Sequence, residues 1–138
     1  MFSAYTLRNF QSRRWLEGDW RGSSPDGGYF FERRAFINDS TIASWTYAQD
    51  STFTHVRETA EMMFRAGVIA SVGAASRWEA SHLDAAPVDF GPVHGASNRF
   101  SFEGKLHDRW TANLAWRDRA GQPQRAVFTM QRTRRERP

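Results

Sequence analysis

The stretch Trp15-Leu16-Glu17-Gly18-Asp19-Trp20-Arg21-Gly22 sets the plan of the chain. Residues 1–14 before it have little strand character, whereas short alternating runs separated by turn residues follow it almost to the C-terminus. A glycine two places before a tryptophan lets the backbone bend sharply while the indole plugs one end of an enclosed interior. Gly18 and Trp20 are therefore expected to open the first strand of a closed barrel. Residues 1–14 then become a short helical or irregular lead-in, with Phe10 and Trp15-Leu16 folding over the closed end.

Working outward, Ser24-Pro25-Asp26-Gly27-Gly28 is a strong turn. In the strand over 29–37, one face carries Tyr29, Phe31, Arg33, Ala35 and Ile37, and the other carries Phe30, Glu32, Arg34 and Phe36. The first face holds one charge and the second holds two, so the first is placed inward, which makes Arg33 an interior arginine. Residues 41–48 put Ala43, Trp45 and Tyr47 inward, and a long run over 53–64 puts Val56, Glu58, Ala60, Met62 and Phe64 inward. Strands are also expected over 68–72 and over 75–83, the latter with Trp78, Ala80 and His82 on one face. Residues 84–97, with two prolines and two glycines, form the longest irregular stretch, broken by a short extended piece at 88–90. Loops of that length commonly serve as lids. The last strands, over 99–103, 109–117 and 124–132, alternate most cleanly. Roughly eight to ten antiparallel strands in sequential order, with no helix to cross over between parallel ones, give an all-β fold: a single up-and-down barrel spanning 1–138, with a basic, frayed tail at 133–138.

Composition narrows the functional classes. The chain has 138 residues and no cysteine, which excludes disulfides and thiolate chemistry and fits a reducing compartment. No signal peptide and no apolar run long enough to span a membrane is evident, so a soluble cytoplasmic protein without a membrane partner is expected. The net charge is +4, and Lys105 is the one lysine among 19 basic residues. The arginines are interleaved with acids, except at 132–137, which argues against nucleic acid as a partner. Aromatic residues make up 14% of the chain, enough both to fill a core and to line a cavity.

Gly18-x-Trp20, the strand meander and Arg132 at the end of the last strand together resemble the lipocalin-like, or calycin, architecture. Trp15-Leu16-x-Gly18-x-Trp20-x-Gly22, Glu32 and Met130-x-Arg132 are similar, more narrowly, to small bacterial lipocalin-like domains of unknown function. The resemblance spans about residues 12–133. It implies that Arg132 stacks over Trp20 as a structural cation–π pair, and that Gly18, Trp20 and Arg132 build the fold rather than the site.

Three polar groups fall on the inward faces: Arg33, Tyr47 and Glu58. A buried arginine needs a carboxylate or an anionic ligand. Arg33 and Glu58 thus form either a structural pair or the polar end of a binding site walled by Trp45, Tyr47, Trp110 and Trp116. The leading expectation is a binding protein for a small, largely apolar molecule with a polar or anionic group. Two alternatives stand beside it. One is a small enzyme, an isomerase or hydrolase, using the same cavity, although no catalytic residue is identified. The other is a filled barrel that dimerises through exposed Phe30 and Phe36. His55, His82, His94 and His107 lack metal-ligand spacing, and no cofactor is named. The opening motif is also similar to nitrobindin-type haem barrels, whose proximal histidine lies late in the chain. Here none lies beyond His107, which argues against haem. A site would sit opposite Trp20, near residues 84–97.

Overall fold

The computed structural model describes residues 5–73, 75–80, 88–94, 97–106 and 108–133. Ten strands follow one another: β1 (Gly18–Ser23), β2 (Tyr29–Asn38), β3 (Thr41–Thr46), β4 (Glu58–Arg65), β5 (Val68–Val72), β6 (Arg77–Ala80), β7 (Val88–His94), β8 (Arg99–Leu106), β9 (Arg109–Arg117) and β10 (Pro123–Arg132). Each pairs antiparallel with its sequence neighbours, and β1 pairs with β10, which closes the barrel and leaves no free sheet edge. This is the all-β up-and-down barrel expected from the alternating runs, with ten strands.

The lead-in is one short helix, α1 (Leu7–Gln11), followed by a 3₁₀ turn (Ser12–Leu16). A capping box starts α1: the Thr6 hydroxyl accepts from the Asn9 amide, and the Asn9 side chain accepts from the Thr6 amide. The segment is fastened across one barrel end. The Tyr5 amide donates to the Gly67 carbonyl in the β4–β5 turn (3.0 Å), and Gln11 Nε2 donates to the Asp39 carbonyl in the β2–β3 turn (3.2 Å). The Phe36 amide of β2 also donates to the Glu17 carboxylate (2.9 Å). Phe10 and Leu16 are thereby driven into the core and completely buried.

The main core fills the barrel's closed half with Phe10, Leu16, Trp20, Ile42, Met62, Ile69, Phe90, Phe102, Trp110 and Met130. Trp110 is its hub: Trp15, Trp20 and Phe102 all meet it edge-on, at ring separations of 6.0, 5.7 and 5.1 Å. Edge-to-face contact places positive ring edges on negative faces, so these pairs add to the area they bury.

Two expectations about elements are corrected. Residues 88–94 form β7, a full strand between β6 and β8, not an irregular lid with a short extended piece. Its Pro92 still pairs opposite Trp78, next to a register shift between Arg77 and Trp78, where a missing amide donor is tolerated. The fourth strand begins at Glu58; residues 53–57 belong to a folded loop instead. No helix among the described residues is long and apolar enough to cross a membrane. The basic tail at 134–138 lies outside the described residues, whereas Thr133 still donates its amide to Asp19 (2.9 Å).

Candidate functional site

Cross-strand register determines which side chains enter the barrel. Trp20 pairs with Glu32, Glu32 with Thr46, and Thr46 with Glu58, so these four positions share one face of the sheet. Trp20 is fully buried in the main core, which makes that face the inner one. On β2 the inward residues are therefore Phe30, Glu32, Arg34 and Phe36, and on β3 they are Ile42, Ser44 and Thr46. The expected inward faces of these two strands are reversed.

The reversal has a physical reason. The face with two charges carries Glu32 and Arg34, two residues apart and therefore side by side. They form an ion pair through Arg34 Nε and Glu32 Oε1, with side chains only 12% and 11% exposed. The Thr46 hydroxyl donates to the other carboxylate oxygen (3.4 Å). The guanidinium lies 4.9 Å over the Phe102 ring and 5.2 Å over the Trp110 ring. Opposite charges that satisfy one another enter a core far more cheaply than one charge alone, so counting charges misjudged the face.

Arg33, Trp45 and Tyr47 do come together, but outside the barrel. Asp19, Arg33 and Trp45 form the corresponding outward row. Arg33 pairs with Asp19 (2.8 Å), not with Glu58, and hydrogen bonding to that carboxylate raises its pKa further. Phe31, Tyr47 and Phe53 make a second, outer core with Trp45 packed against it, and the Arg33 guanidinium sits 5.3 Å over the Phe53 ring. Residues 47–57 fold back over β2 and β3 to cover this cluster. The cover is built around Asp50, which accepts from the amides of Thr52 (3.0 Å), Thr54 (3.0 Å) and His55 (2.8 Å). Bonds from the Thr52 hydroxyl above all, and from these amides, hold the Asp50 carboxyl well below the usual carboxylate range.

Glu58 is on the inner face as expected, but at the strand end and exposed. Trp110 is deep in the interior, and Trp116 stands half-exposed at the far end of β9. Phe30 and Phe36, expected on the surface, turn inward and pack, partly buried, against the main core. His82 and His107 lie outside the described residues.

The structural trio is in place. Trp20 Nε1 donates to the Leu16 carbonyl (2.9 Å), and the Arg132 guanidinium stacks 4.3 Å above the Trp20 ring while donating to the Glu17 carbonyl (3.0 Å). Gly18, at φ +135°, lies directly under that guanidinium: a Cβ there would collide with Arg132 Nη1. The glycine is required by backbone conformation and by close approach together.

Sequence reasoning missed two inward arginines, Arg13 and Arg34. Arg13, on the 3₁₀ turn, borders a void among Met62, Ile69, Phe90 and Phe102 too narrow for a water molecule. Burial lowers its pKa, and its Nε has no hydrogen-bond partner. The Trp110 indole N–H is likewise buried without an acceptor. Nothing in a lead-in segment marks an arginine as inward. For Arg34 there was a signal: a hairpin turn centred on Asp26 sets Trp20 opposite Glu32, and so sends Arg34 inward.

The opposite, open end is looser. Phe30, Trp78, Phe100, Leu114 and Phe128 lie on the inner face there and are only partly buried. The closed meander, the tryptophan floor and the stacked arginine are consistent with a calycin-like barrel. No family model matches the chain, and no curated protein or solved structure matches it significantly.

Proposed function

We propose that the protein is a lipocalin-like binding protein that takes a small, largely apolar molecule with a carboxylate or similar anionic group into the open half of its barrel. One observation carries this reading: donors are gathered inside the barrel in excess of the protein's own acceptors. Arg34 spends Nε on Glu32, and among the described residues its terminal nitrogens have no further partner. The neighbouring Trp110 N–H has none at all. A buried donor without an acceptor, as the Trp110 N–H is, is costly, and an anionic acceptor that also reaches the accessible terminal nitrogens of Arg34 relieves that cost. The partly buried rings of Phe30, Trp78, Phe100 and Phe128 supply an apolar wall along the way in. The absence of cysteine suits a reducing compartment such as the cytoplasm.

Titration with medium-chain fatty acids and aromatic carboxylic acids, followed by tryptophan fluorescence, tests this. Binding is expected for the acids and about tenfold weaker for the matching alcohols, because the charge-assisted bond to Arg34 is lost. Arg34→Met, made together with Glu32→Leu to avoid stranding a charge, should abolish the preference for the acid. Arg33→Ala, outside the barrel, should leave it intact. Equal affinity for acid and alcohol would defeat the proposal.

A further inference from the structure

The outer wall of the barrel carries a groove of about 410 Å³ across β2 to β5. Ile37, Ala43, Trp45, Thr59, Glu61 and Val72 line it. Register puts these side chains on one face of the sheet. Ala35, Ala43, Glu61 and Val72 form one cross-strand row, and Trp45 and Thr59 continue the neighbouring outward row of Asp19 and Arg33. Ile37 falls at the register shift between Phe36 and Asn38 and is 52% exposed. The groove owes its depth to Ala43, whose small side chain lies between the levels of Trp45 and Ile37.

Glu61 is the single charged residue of the lining. It is exposed, and among the described residues it makes no hydrogen bond or ion pair. The cations that flank the groove are already committed. Arg77, beyond Val72 in the same row, pairs with Glu79 (3.0 Å), and Arg33, beside Trp45, pairs with Asp19 (2.8 Å). An apolar occupant would strip water from the Glu61 carboxylate, at a cost unless it brings a positive charge of its own. One carboxylate among apolar walls lacks the oxygen ligands that a metal cation needs. Trp45 adds a ring to which a cation is attracted.

We infer that this outer groove is a binding site for an organic ammonium ion with an apolar body. The ammonium donates to the Glu61 carboxylate beside Trp45, and the body lies along Ile37, Ala43 and Val72. The site is on the opposite side of the sheet from Arg34, selects the opposite charge, and does not rest on the interior reading.

Isothermal titration of the full chain with phenethylamine and phenethyl alcohol at neutral pH provides the test, because the two share one body and differ in charge. The amine is expected to bind about fivefold more tightly than the alcohol. Glu61→Gln should bring the amine down to the affinity of the alcohol and leave the alcohol unchanged. Ile37→Thr should weaken both. Glu58→Gln removes the same charge from the inner face of the same strand and should bind the amine like the parent. Circular dichroism confirms that these variants fold, as exposed substitutions should. No binding of the amine, equal binding of amine and alcohol, or unchanged amine binding in Glu61→Gln overturns the inference. An equal loss in Glu58→Gln and Glu61→Gln also overturns it, since binding would then follow overall charge. So does self-association in sedimentation that Glu61→Gln abolishes while the amine does not bind, which would make the groove a contact between copies.

Discussion

The two ends of the barrel are built on opposite principles. At the closed end Trp20, Arg132, Gly18 and the lead-in lock together: the indole N–H has its carbonyl, the guanidinium has its ring and its carbonyl, and Phe10 and Leu16 exclude water. At the open end the inner-face rings of Phe30, Trp78, Phe100 and Phe128 are only partly buried, and the Trp110 N–H beneath them has no acceptor. Satisfied groups hold a fold together, whereas groups left in need of a partner are what a ligand can use. Stability and binding should therefore separate along the barrel axis, and substitutions can test that separation.

The largest effect is expected at the floor. Trp20→Ala removes a fully buried indole, its bond to Leu16 and the surface on which Arg132 stacks, and should cost about 3–5 kcal/mol in chemical denaturation. The preference for acidic over neutral ligands in the remaining folded protein should be unchanged. A folded Trp20→Ala protein with full stability and lost binding would break the separation outright.

Next comes the pair inside the barrel. Arg34→Met alone strands the Glu32 carboxylate in a largely buried site and should cost about 3 kcal/mol. Replacing both partners with apolar side chains of similar size should recover most of that loss while removing any preference for acidic ligands. If the double variant is as unstable as the single one, the pair is part of the floor and not of the site. Gly18→Ala belongs below these: a side chain at φ +135° that also pushes Arg132 off Trp20 should cost about 1–3 kcal/mol.

The same division explains how far the sequence could be read. The closed end was legible because its devices are local or strongly typed: glycine before tryptophan, a terminal arginine, apolar residues in a lead-in. The clean alternation of β8 to β10 likewise placed Phe100, Phe102, Trp110, Ala112, Phe128 and Met130 on one face, and they line one face in the structure. Strands β2 and β3 failed because burial of Glu32 and Arg34 depends on their pairing with each other and on rings from β8 and β9, about seventy residues away. Tyr29 and Phe31 were drawn inward because their face holds fewer charges, yet Phe31 finds its apolar cover outside, from the loop over 47–57. A strand covered on both faces has no polar side for alternation to detect.

The smallest effect concerns the outer cover, a piece of the open end built like the closed one. Ala48 and Phe53 both adopt positive φ (49° and 57°), a conformation costly for residues with side chains. The bonds converging on Asp50 keep the intervening turn in that shape. Because the folded Asp50 pKa is depressed, the stability it contributes is fully present above the ordinary aspartate value of about 3.9 and drains away as pH falls through the lower, folded value. Amide resonances of Thr52, Thr54 and His55 should therefore hold their native shifts to below about pH 3, where an ordinary aspartate would already have released them. Asp50→Asn should remove that acid dependence and loosen the loop while leaving Trp20 and Arg132 untouched, since the loop packs on the outer core and the floor on the inner one. A transition near pH 4 in the parent would mean that the carboxylate is not what holds the cover, and that Phe53 under Arg33 is enough to pin it.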